Sequence, residues 1–289
     1  MSVSDVLDGA FGVYKRAAPT VLAAAAVVVV PVQLALAFVG RRALGASLVM
    51  GPGDPTAGAG GGVGTGASLL ALAAQALAVS FVAAAMSRVV AAAYLGEETG
   101  PRAVLAEVRR RWPAIAWAWV LVHAWQALGL VAAGAVVAAL AAGGMRELAL
   151  AVAVVGVLGG IAWAVVWMAL LTATTPALVI EGLGPVAAMR RSARLLRGRL
   201  WGVLGIGALA GLVSTIAGGV LGSIPQAAGF ALGPGRGGWV LVGAGGALAS
   251  LVTTPFVAIV ATLLYFDGRI RTEGFDLEVI ASSLERPGR

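Results

Sequence analysis

Six apolar runs, at approximately residues 18–39, 67–95, 114–141, 148–174, 200–223 and 239–266, decide what this chain can fold into. Each reaches or exceeds the roughly 20 residues that, at about 1.5 Å of rise per residue, cross about 30 Å of hydrocarbon as a helix. With 60% hydrophobic and only 11% charged residues, a chain of 289 residues carries more apolar surface than a water-soluble globule hides. Lipid is the remaining solvent. The sequence therefore predicts an all-α polytopic membrane protein with six transmembrane helices. The first run is read as an uncleaved anchor, although ALA at 35–37 resembles a signal-peptide cleavage site, because Asp5 and Asp8 precede it and it is longer than a signal-peptide core.

Charge sets the expected orientation. Lys15 and 19 arginines make up the basic residues, and the formal net charge is +7. The N-terminus, the 96–113 loop, the 182–199 loop and the C-terminal tail hold 2, 4, 5 and 4 of them, whereas the opposite loops hold only Arg41, Arg42, Arg146 and Arg236. Short loops rich in Lys and Arg stay cytoplasmic, so both termini are expected on the cytoplasmic side of a cell's inner (plasma) membrane. There is no cysteine, which excludes disulfides, thiolate catalysis and cysteine-held metals.

Each basic segment precedes a pair of spans, and each reads as an amphipathic surface helix. In the first, Val3, Val6, Leu7, Ala10 and Tyr14 share one stripe, with Asp5, Asp8, Lys15 and Arg16 opposite. In the second, Pro101 opens a helix whose stripe is Val104, Leu105, Val108 and Trp112, and Pro113 favours a break before the next span. In the third, RRSARLLRGR, Arg190, Arg194 and Arg197 share a face beside an arc of Met189, Ala193, Leu196 and Leu200. Acidic residues Glu97, Glu181 and Asp267 follow the second span of each pair. The expected plan is one membrane domain of three pseudo-repeats, approximately 1–97, 98–181 and 182–289, each a cytoplasmic interfacial helix followed by a two-span hairpin.

DVLDGAFGVYKR, EGLGPVAAMRRSARLLRGRLWGVLG and LLYFDGRIRTEGFDLE resemble, in order and spacing, the bacterial and actinobacterial family called glycerophosphoryl diester phosphodiesterase membrane domain. The chain departs from that pattern at Gly268, where a leucine is expected after the aspartate, and in the loop GPGDPTAGAGGGVGTG. The resemblance covers the membrane region alone. The fused hydrolase's His-Arg pair and metal-binding carboxylates have no counterpart here, since His123 is followed by Ala124 inside a span. The family name is not evidence of catalysis here; what the resemblance implies is a six-span membrane protein linked to lipid or envelope homeostasis.

Candidate contacts follow from charge and depth. Arg109, Arg110, Arg111, Arg190, Arg191, Arg194 and Arg197 are candidates for anionic lipid headgroups or a membrane-protein partner, because guanidinium forks match phosphate oxygens. Nucleic acid is not an expected partner, since the basic residues sit at membrane boundaries. Arg88, His123 and Gln126 form a candidate intramembrane polar site, against which stand headgroup snorkelling for Arg88 and an interhelical hydrogen bond for the other two. No catalytic set, metal or cofactor is expected. Two TTP triplets, ending at Pro176 and Pro255, predict kinks whose freed carbonyls a threonine hydroxyl can satisfy, and Gly156/Gly160, Gly207/Gly211 and Gly218/Gly222 suit close helix packing. GPGRGG at 233–238 follows no strand and is not a nucleotide site, and the glycine-rich stretch 51–66 reads as an extracytoplasmic connector. The expected function is a non-enzymatic scaffold or accessory factor, with transport of a lipid or small amphiphile as the alternative.

Overall fold

A computed structural model describes residues 3–50, 65–97 and 99–274; most of the 51–66 connector lies outside them. The described residues are helical, with no strand among them. The helices are α1 (Val3–Arg16), α2 (Ala18–Met50), α3 (Thr65–Leu95), α4 (Pro101–Ala142), α5 (Arg146–Leu171), α6 (Thr174–Ile180), α7 (Pro185–Leu196), α8 (Leu200–Leu232) and α9 (Gly238–Glu273). A single 3₁₀ turn, Arg197–Arg199, joins α7 to α8. Among the described residues, six helical segments are long and apolar enough to cross a membrane, the architecture of a multi-pass membrane protein. Their outward faces fit that medium: Leu150 is 70% exposed, Val155 72% and Val131 64%, positions that water would penalise.

Helix ends follow local chemistry. At Gly96 and Gly144, φ is +70° and +82°, a conformation only glycine adopts without strain. The amide of Met145 donates to the Leu140 carbonyl at 3.0 Å and that of Glu97 to Ala92 at 2.9 Å, the Schellman pattern that satisfies terminal carbonyls. Pro113 does not break the chain as expected. α4 runs unbroken from Pro101 to Ala142, so the second basic segment is the first part of a span-length helix. In a helix this long, the donor lost at one proline is a small fraction of the ladder.

The chain divides into two compact units, which cut across the sequence segments 1–97, 98–181 and 182–289. One comprises the described chain up to Trp112 and Ala208–Val260. There α1 buries Val6, Ala10 and Val13 against protein and leaves Asp5, Asp8, Lys15 and Arg16 exposed. The Phe11 ring lies 4.8 Å from that of Phe256. Gln33 of α2 donates to Ser250 of α9 at 2.7 Å and to Gln75 of α3 at 3.3 Å, tying three apolar helices by side-chain amides. α8 and α9 meet where side chains are absent: a Cβ on Gly222 would lie 3.1 Å from the Gly245 carbonyl. Burial raises the Tyr14 phenol above its ordinary pKa. Its hydroxyl and that of Ser214 are buried without a partner among the described residues, beside one cavity of about 90 Å³.

The other unit comprises Pro113–Gly207 and the described chain from Ala261. α4 and α5 close on small residues, since a Cβ on Gly156 would lie 2.8 Å from that of Ala133. Gly129 makes room for Trp163, whose indole N–H donates to the Trp125 carbonyl at 2.9 Å. By contrast, Cβ atoms on Gly207 and Gly211 would meet open space, so that pair of glycines does not serve close packing here.

Candidate functional site

The arginine-rich stretch begins in α7, which carries Arg190, Arg191 and Arg194 and packs on α5 and α6, and ends in the 3₁₀ turn with Arg197 and Arg199. Pro185 opens it with the fixed φ a first helical position favours. Ala188, Ser192, Leu195 and Leu196 are buried, while Arg190, Arg194 and Arg197 are exposed, the face that their spacing predicts. Of the expected arc only Leu196 is buried, whereas Met189, Ala193 and Leu200 are half-buried, so the protein-covered face is centred on Ala188, Ser192 and Leu195 instead. Gly268 of α9 permits part of this: a Cβ there would lie 3.3 Å from that of Leu195, so the expected leucine would push α7 away.

Ser192 fastens α7 to a break between α5 and α6. Pro176 has no N–H to continue the ladder, and the helix interrupts at Thr172 and Ala173. The Ser192 hydroxyl donates to the Leu170 carbonyl at 2.6 Å and accepts from the Ala173 amide at 3.1 Å. Both backbone groups at the break are satisfied from another helix. The first threonine of each triplet does not serve the freed carbonyl: the Thr174 hydroxyl is buried without a partner among the described residues, and Thr253 donates to Ala249 at 2.9 Å.

Arg191 is the buried-side guanidinium, with its side chain 15% exposed. Its Nε donates to both Glu181 oxygens at 2.9 and 3.0 Å, Nη2 donates to Glu273 at 2.8 Å, and Nη1 pairs with the same carboxylate. The Tyr265 hydroxyl donates to Glu181 at 2.7 Å and Arg269 donates to Glu273 at 3.2 Å. Beside this network Asp267, 3% exposed in its side chain, pairs with Arg199 and, at 3.1 Å, with Arg271. Two of the three acidic residues after the second spans, Glu181 and Asp267, thus act as counterions for arginines of the basic segment, whereas Glu97 is exposed. Arg194, Arg197, Arg199 and Arg271 also line a depression of about 500 Å³.

The other candidates fall elsewhere. Arg109 is exposed, whereas Arg110 and Arg111 both pair with Glu107, at 2.7 and 2.6 Å. Arg88 is exposed on α3. His123 is exposed, its Nδ1 2.8 Å from the Trp119 carbonyl one turn earlier, and Gln126 is half-buried. The interhelical polar contact is made instead by Gln33, Gln75 and Ser250.

Sequence reading overlooked Ser192, although a serine at i+4 from Ala188 and i−4 from Leu196 lies on an apolar arc, which is itself a sign of a buried hydrogen bond. Tyr265 and Glu273 had no such sign, being far away in the chain. No family model, curated protein or solved structure compared with this chain matches it, so the functional reading rests on this geometry.

Proposed function

We propose that this chain is a non-enzymatic protein of a cell's inner membrane, a scaffold or accessory factor in lipid or envelope homeostasis. In this reading its spans pair as three hairpins, its termini are cytoplasmic, and α7 presents guanidinium groups to anionic lipid or to a membrane-protein partner. The supporting observation is the division of labour among the arginines. Arg191 is spent on Glu181 and Glu273, and with Ser192 it holds α7 in place, while Arg190, Arg194 and Arg197 stay exposed on one face with no protein partner among the described residues. Trp201, 84% exposed just beyond them, suits the headgroup level where amphipathic rings settle. The dense polar cluster has its donors and acceptors paired with each other, an arrangement that serves position rather than proton transfer.

Purification in mild detergent followed by mass spectrometry of retained lipids and proteins tests the reading. The triple variant Arg190→Gln, Arg194→Gln, Arg197→Gln is expected to lose anionic lipid or its partner. At about 1 kcal/mol per guanidinium, three together weaken retention by roughly 100-fold at low salt. Unchanged retention by a folded triple variant refutes the proposal. Transport of an amphiphile is the second reading, favoured by an apolar groove along α7, and flux across proteoliposomes separates the two.

A further inference from the structure

A groove of about 520 Å³ lies among α4, α5 and α7, within the roughly 300–1,000 Å³ of small-molecule sites. Leu121, Trp125 and Leu128 of α4, Trp167 of α5, and Val186 and Met189 of α7 line it. Arg190 contributes the only charge in this lining. From this we infer that the groove binds one acyl chain of an anionic phospholipid, with Arg190 contacting its phosphate.

Charge complementarity selects this occupant. The Arg190 guanidinium has no hydrogen-bond or ion-pair partner among the described residues, and no carboxylate lines the groove to receive a cationic head. Chain length agrees. Leu121 to Leu128 is seven residues, about 10 Å along the helix, which is most of the roughly 15 Å of one leaflet's hydrocarbon. The groove wall is also pre-formed. Trp125 and Trp167 meet edge-on at 5.2 Å, each lies 5.6 Å from Trp163, and the Trp163 indole is bonded to the Trp125 carbonyl. A ligand that meets fixed rings loses less in ordering them than one meeting mobile lipid-facing side chains. The backbone at Arg190 is anchored in turn, because the next two residues, Arg191 and Ser192, are bonded to α5, α9 and the turn after α6. The root of the Arg190 side chain therefore keeps a constant place beside the ring wall.

The inference rests on the reading of this chain as membrane-embedded, and the test separates the two. The full chain in lipid nanodiscs is titrated with phosphatidylglycerol or phosphatidylcholine carrying brominated acyl chains, which quench nearby tryptophans, and with brominated stearic acid. Saturable quenching favouring the anionic lipid is expected. Ala124→Phe, at an exposed groove position, and Arg190→Gln should each reduce that preference, by about fivefold for the charge. Displacement of the anionic phospholipid by an equal amount of the fatty acid overturns the assignment to phospholipid, and its absence supports it. Equal quenching by both phospholipids, or variants that quench like the parent, overturns the inference. So does a change of oligomeric state in Ala124→Phe with quenching intact, which makes the groove a contact between copies. If the groove test fails while lipid retention still depends on Arg194 and Arg197, the proposed function survives; if the protein does not enter nanodiscs, both fall.

Discussion

Ser192 and Arg191 are neighbours that do different work, and each predicts its own loss. Ser192→Ala strips the Leu170 carbonyl and the Ala173 amide of their shared partner in a buried place. Leaving such groups unsatisfied costs about 1–3 kcal/mol, so the midpoint of thermal unfolding in detergent should fall by several degrees. Arg191→Gln removes charged hydrogen bonds to Glu181 and Glu273 that are shielded but not fully buried, and about 1.5–3 kcal/mol is expected. A double-mutant cycle with Glu181→Gln should return a coupling of at least 0.5 kcal/mol, because removing one partner first leaves less to lose from the second. Arg197→Gln, at an exposed position, should stay within about 0.5 kcal/mol of the parent. The exposed arginine face was legible at this scale because helical periodicity is a local property. The Glu181 and Glu273 partners of Arg191 were not, since their meeting depends on how α9 returns to α7.

Glycine positions separate packing from composition at the level of elements. Gly156→Val forces α4 and α5 apart, because the new Cβ starts 2.8 Å from that of Ala133. Overpacking of this kind costs about 1–3 kcal/mol, readable as a lower unfolding midpoint. Gly207→Ala meets open space inside α8 and should stabilise by about 0.5–1 kcal/mol, since alanine loses less backbone entropy. Both glycines belong to pairs four apart, and spacing alone does not tell them apart. Only the neighbour across the interface does. Pro113 teaches the same lesson in reverse: as a local signal it favours a break, yet α4 continues through it. The six spans were legible because length and apolarity are summed over 20 or more residues, where single exceptions do not matter.

For the whole molecule the sharpest prediction concerns sides. The chain has no cysteine, so single substitutions report position without background. With the proposed orientation, a membrane-impermeant maleimide added to intact cells labels Arg146→Cys and Arg236→Cys, and labels Arg110→Cys and Arg194→Cys only after lysis. The opposite pattern would reverse the assignment drawn from basic residues. The interleaved units carry one more consequence, for birth rather than architecture. The first unit needs both the chain up to Trp112 and Ala208–Val260, and Pro113–Gly207 is made in between. At about 5–20 residues per second the ribosome takes on the order of 5 to 20 s to deliver that interval. For that time α1, α2 and α3 must persist beside the translocon without α8 and α9, open to whatever chaperone or insertase attends the nascent chain.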